Sequence, residues 1–166
     1  MRRPMRSLLR RTGPMARPTL RAGVIAPRKV TGGSGMSTEQ NKAVVRRFIT
    51  ETLAGGAVDV IDDLLAPNYH NPMMGGVDRA GFKAMLSAMG AVISDMRFDI
   101  QDLVAEGDAV VARFTWAYTL ASGKKIEGRG LTYYRLADGK IVADDHFQMP
   151  DPTPEIAALM APPVAV

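Results

Sequence analysis

A chain of 166 residues with 46% hydrophobic residues, a net charge of +4 and no cysteine excludes disulfide frameworks, thiolate catalysis and thiolate metal sites. The charge is unevenly placed. Residues 1–35 hold nine Arg or Lys and no acid, whereas residues 36–166 hold twelve bases against seventeen acids, a net −5. The body is mildly acidic and lacks a basic stripe with interleaved aromatics, which argues against nucleic acid as its partner.

Residues 1–35 are rich in Arg, Pro and Gly without sustained apolar periodicity, the composition of a disordered extension. They contain no apolar core of the length a secretory signal needs, and no 18-residue apolar run anywhere suggests a membrane span. The expected setting is cytoplasmic, with residues 1–35 either upstream of a working start at Met36 or a plain disordered tail; organelle targeting by the Arg-rich segment is the other reading. Residues 36–166 have the size of one domain.

The body opens with helices. Ser37 caps a helix running to Ala54, with Gln40 completing a capping box and Val44, Val45, Phe48, Ile49 and Leu53 on one face. Gly55-Gly56 stops it. A second helix is predicted over 58–65, ending at Pro67, followed by a loop, NYHNPMMGG. Asp78 caps a third, whose Phe82, Met85, Leu86 and Met89 recur at helical spacing.

After Gly90 the period changes to two. Four strands are predicted near 97–105, 109–120, 125–136 and 140–149, joined by short turns at Glu106-Gly107-Asp108, Ser122-Gly123 and Asp138-Gly139. Helices followed by a strand meander predict an α+β domain with the helices packed on one face of a curved antiparallel sheet.

The last hairpin carries the candidate chemistry. Strict alternation puts Ile141, Ala143, Asp145, Phe147 and Met149 on one face and Val142, Asp144, His146 and Gln148 on the other. The first set is the more apolar and is expected inside. That makes Asp145 a carboxylate among apolar neighbours, a costly placement unless it is used or paired. A bulge within 143–151 would instead bring His146 or Asp151 inward. On the preceding strand, Thr132 and Tyr134 share a face, and Tyr134 can polarise a carbonyl oxygen or simply fill the core. Trp116 lies on an aromatic face with Phe114 and Tyr118 that either lines a cavity or packs against a partner. The two histidines, His70 and His146, have no metal-ligand spacing; neither a metal nor a cofactor is expected.

The blocks NKAVVRRFITETLAGGAVDVIDDLLAPNYHNP, GFKAML, DLVAEGDAVVARFTW and YYRLADGKIV resemble successive segments of SnoaL-like proteins. These are the polyketide- or ester-cyclase-like family of the nuclear transport factor 2-like superfamily. The resemblance runs from Asn41 to Val142 and implies that superfamily's cone-shaped fold, with a homodimer formed through the open sheet. It also implies that His70 lines the cavity mouth. Asn71 stands where ketosteroid isomerases of this fold carry a general base, and cannot take a proton. Thr132 falls where those isomerases place an oxyanion-stabilising acid. Counting from Gly139, the cyclases' Trp position is Asp145 and their catalytic Asp position is Met149. The Arg–Asp pair of limonene-epoxide hydrolases is broken here, since Arg113 is followed two residues on by Thr115.

Two functions remain open. The first is an enzyme of lyase, isomerase or cyclase type, working without a cofactor on a hydrophobic carbonyl compound. Asp145, His70 and Tyr134 would be catalytic, and Asn71, Trp116, Thr132, His146, Phe147 and Met149 would line the substrate site. The second is a dimeric module that binds an apolar small ligand without transforming it.

Overall fold

The computed structural model describes residues 36–160; the extension expected over 1–35 lies outside them. Helix α1, Thr38–Arg47, starts at the predicted capping box: Ser37 Oγ accepts from Gln40 N, and Gln40 Oε1 accepts from Ser37 N. From Phe48 to Ala54 the helix continues in π geometry rather than as the uniform α-helix expected, a local widening often found at functional sites. Buried Asn41 ties α1 to the hairpin turn at Gly107, donating from Nδ2 to the Gly107 carbonyl at 2.9 Å.

Helix α2, Ile61–Leu64, is a single turn, shorter than predicted, and leads into a strand where a loop was expected. This strand, β1 (Leu65–Asn71), pairs with the two-residue β2 (Val77–Asp78) and runs parallel to the last strand of the sheet. Pro67 disguises β1, because proline removes a ladder donor and reads as a break. The pairing to the last strand shifts register between Leu65 and His70, the interval containing Pro67. Helix α3, Arg79–Met89, is capped by Asp78, whose Oδ1 accepts from Gly81 N.

Strands β3 (Ile93–Glu106), β4 (Ala109–Leu120), β5 (Lys125–Ala137) and β6 (Lys140–Met149) form the predicted meander, and α4 (Thr153–Met160) follows. Sheet order is β2-β1-β6-β5-β4-β3, a mixed sheet with one parallel pair instead of a purely antiparallel one. At the β5–β6 turn both Asp138 (φ 48°) and Gly139 (φ 76°) are left-handed, as a two-residue hairpin of this twist requires. The helices cover the inner face, where Phe48 meets Tyr134 edge-on at 6.0 Å and Tyr69 meets Phe82 at 5.7 Å.

Besides the shift in β1–β6, three further register shifts curve the sheet, two in β3–β4 and one in β5–β6. The β5–β6 shift decides the site. Leu136 faces Ile141 and Arg135 faces Ala143, so Val142 has no partner. Beyond it the alternation changes phase: Ile141 and Asp144 are both buried, while Phe147 and Met149 are 62% and 68% exposed. The expected inward placement of Asp145, Phe147 and Met149 is therefore corrected. Strict alternation assumed a strand without an extra residue, and this one has Val142.

Candidate functional site

Between the helices and the inner face of the sheet lies a cavity of about 260 Å³. Its wall is mostly apolar: Phe48 and Leu53 come from the π-helical stretch, Phe82, Met85, Leu86 and Met89 from α3, and Phe98 and Phe114 from the sheet. The polar lining is concentrated on β5 and β6. Three consecutive inward positions of β6, Asp144, His146 and Gln148, stand opposite Tyr134, Thr132 and Gly130 of β5. The bulge at Val142 turns this set toward the cavity.

Asp144 is the hub. Its Oδ1 accepts from the Tyr69 hydroxyl and its Oδ2 accepts from Asn71 Nδ2 at 3.1 Å. His146 Nδ1 lies 3.8 Å from the same Oδ2. Asn71 is fixed in turn, because its Oδ1 accepts from Met74 N and caps the short 3-10 turn Pro72–Met74. The buried carboxylate thus has a donor on each oxygen, which meets the cost of desolvating it. Both donors come from β1, the strand hidden from sequence by Pro67.

The phenols respond to this surrounding. Burial pushes Tyr134 well above the ordinary tyrosine range, and the negative charge of Asp144 across the ladder pushes it the same way. Burial, followed by Asp144, does the same to Tyr69. Tyr118 rises to about 12, through burial first and then the charges of Glu155 and Asp151. All three phenols therefore remain hydrogen-bond donors near neutral pH.

Of the expected site residues, the cavity wall contains Asn71, Thr132, Tyr134 and His146. It does not contain Asp145, which stands opposite Tyr133 on the other face. His70 is exposed on β1 opposite Asp78, away from the wall. Trp116 is buried and stacked on Tyr118, and it borders a separate pocket with Gly128, Arg129 and Met149 rather than this cavity. Asp151 is also outside, since its Oδ1 accepts from Thr153 N at the start of α4. Sequence reasoning missed Asp144 and Tyr69. The available signal was the unbroken apolar run Ile141-Val142-Ala143, which leaves the strand's phase unfixed. Among the described residues no group of three or more His, Cys, Asp or Glu side chains could hold a metal ion, and no helix is long and apolar enough to cross a membrane.

The SnoaL-like domain model matches residues 45–143, from the last turn of α1 to the bulge of β6. The chain belongs to the SnoaL-like family. No curated protein matches it. Among solved structures, a candidate polyketide cyclase from Acidithiobacillus ferrooxidans is 27% identical, with a TM-score of 0.61 over 76% of this chain and 100% of that one. A SnoaL-like polyketide cyclase from Agrobacterium tumefaciens is 19% identical, with a TM-score of 0.60 over 75% of this chain and 99% of that one. An LEH-like epoxide hydrolase from M. tuberculosis is 18% identical, with a TM-score of 0.59 over 67% and 84% of the two chains. The latter two share the fold. The α+β, nuclear transport factor 2-like architecture expected from the sequence blocks is thus shown, and so is the family. Proteins that share this fold include a polyketide cyclase and an epoxide hydrolase, so the reaction has to be argued from the site.

Proposed function

We propose that this SnoaL-like protein is a cofactor-free enzyme of lyase, isomerase or cyclase type that transfers a proton on a hydrophobic carbonyl compound. The observation that carries this reading is the Asp144–His146 pair, set on one strand face in a mostly apolar cavity. Both Asp144 oxygens already accept hydrogen bonds, so the carboxylate serves as an anchor and His146 meets the substrate. With Nδ1–H directed at Asp144, Nε2 takes a proton from the carbon next to the carbonyl, and the carboxylate balances the imidazolium that forms. The electron pair moves to the carbonyl oxygen, where the Tyr134 hydroxyl donates a hydrogen bond. The imidazolium then returns its proton to another carbon or to a leaving group. The step requires the 3.8 Å separation to shorten to hydrogen-bond distance.

The test is exchange of α-hydrogens for deuterium in apolar ketones such as 2-decalone, followed by NMR in D2O. The wild type should accelerate exchange, His146→Gln should abolish the acceleration without lowering the melting temperature, and Asp144→Asn should weaken it. Equal exchange in wild type and His146→Gln overturns the reading. A tightly held compound recovered unchanged would favour the binding-module alternative.

The reading includes a homodimer. The outer face of the sheet exposes Leu131, Phe147 and Met149. Beside them, Asp99 and Arg129 share one row and Arg97 and Glu127 share the next. Rows of alternating sign next to an apolar patch are self-complementary under a two-fold axis.

A further inference from the structure

Trp116 and Tyr118 occupy successive inward positions of β4, with ring centroids 5.2 Å apart and planes 16° from parallel. Both are more than nine-tenths buried, and neither Trp116 Nε1 nor the Tyr118 hydroxyl has a hydrogen-bond partner among the described residues. A buried donor without a partner is a standing cost, and such groups are uncommon without a reason. The two differ in access: Tyr118 borders this cavity, whereas Trp116 stacks on its ring and borders a separate pocket.

Tyr118 is remote from the Asp144 group. Gln148, the last polar side chain of the β6 series, faces Gly130 and through it Phe114. Tyr118 is four residues further along β4, about 13 Å at a rise of 3.3 Å per residue. Thr153, Ile156 and Ala157 of α4 complete this end of the cavity. Two acids stand near enough to act on the phenol, Asp151 and Glu155, yet both are engaged elsewhere. Lys124 Nζ donates to both Glu155 oxygens at 3.0 and 2.9 Å, and Thr153 N donates to Asp151 Oδ1 at 3.0 Å. Neither acid takes the phenol proton, and their negative field opposes an anionic ligand at this end.

We propose that Tyr118 is a second anchor for the cavity's ligand. Its hydroxyl donates to a neutral oxygen (carbonyl, ether or hydroxyl) at the far end of an apolar molecule whose other end lies against His146 and Tyr134. The ligand class is thus uncharged, apolar and oxygenated at both ends. This inference rests on the proton-transfer reading for the orientation of the ligand, but binding tests the anchor, not turnover.

The full chain is titrated calorimetrically with decane-2,9-dione, with decan-2-one of the same length, and with 9-oxodecanoate, which carries a charge at one end. Fluorescence of Trp116, the only tryptophan, reports occupancy beside Tyr118. The wild type should bind the diketone about fivefold more tightly than the monoketone, the worth of one neutral hydrogen bond, and the oxo acid more weakly than the diketone. Tyr118→Phe should erase the diketone preference, change monoketone affinity less than twofold, and leave the melting temperature equal or higher. A preference retained in Tyr118→Phe overturns the anchor. So does equal binding of the two ketones by wild type, tighter binding of the oxo acid, or no binding of any of the three. If the preference holds while His146→Gln leaves α-hydrogen exchange unchanged, the anchor stands and the proton-transfer reading fails. The opposite result removes only the anchor.

Discussion

The Tyr69 hydroxyl donates to Asp144 Oδ1 across 75 residues of sequence, joining the strand after α2 to the last strand of the sheet. Asn71 makes the parallel contact to Oδ2 from the same strand. Together they hold a carboxylate that is only 7% exposed.

Removing one donor leaves a buried oxygen without its partner. Tyr69→Phe is expected to destabilise by about 1–3 kcal/mol in urea unfolding, and Asp144→Asn by a similar amount. The double variant should lose less than the sum, with a coupling of about 0.5–3 kcal/mol. Additive losses would mean that the two groups do not share a bond in solution.

Stability should fall at alkaline pH. Tyr118 is raised from 10.0 to about 12, and Tyr69 and Tyr134 are raised as well. Between pH 10 and 12 the unfolded chain gives up phenolic protons that the native state keeps. The unfolded state then binds fewer protons, so unfolding becomes easier as pH rises. The stabilisation is complete below pH 10 and is lost progressively as pH rises through the native values. Urea midpoints measured across this range should decline, and Tyr134→Phe should flatten the decline by one proton's share. A flat profile contradicts the burial of these phenols.

Gly128 makes room for Trp116. A Cβ there would lie 2.5 Å from both the Met149 carbonyl oxygen and Trp116 Cζ2, and a backbone oxygen in a sheet has little freedom to yield. Gly128→Ala is expected to cost about 1–3 kcal/mol and to shift the emission of Trp116 as the indole moves. An unchanged emission maximum together with unchanged stability would refute this contact.

The outer face predicts assembly. Phe147→Asp places a charge in the exposed apolar patch of Leu131, Phe147 and Met149. The wild type should sediment as a dimer and the variant as a monomer, with the cavity and its melting behaviour retained. A monomeric wild type would remove the homodimer from the proposed function.

The fold was largely legible because its signals are local. The Ser37–Gln40 capping box, the Asp78 cap and the Asp138-Gly139 turn each act within four residues, and the β3–β6 meander shows as a period of two. The site was only half legible because its geometry depends on two non-local choices. Pro67 hides β1, whose pairing to β6 is set by the tertiary structure, and with it Tyr69. Val142 drops out of the ladder to β5, and nothing in Ile141-Val142-Ala143 says which residue is extra. That one residue exchanges Asp145 for Asp144 at the cavity and brings in His146 and Gln148. Thr132, Tyr134 and Asn71 reach the wall because no such shift separates them from their own turns.

The place of β1 in the sheet also sets an order in time. Strands β3 to β6 are consecutive hairpins with short loops, whereas the β1–β6 pair closes a loop of some seventy residues. Contacts of long sequence separation must meet their loop entropy before they contribute anything. The meander and its curvature can therefore exist before β1 docks, but the Tyr69–Asp144–Asn71 network cannot. A nascent or partly unfolded chain that has formed the meander alone would therefore carry the sheet without the hydrogen bonds around Asp144, which need β1 beside β6.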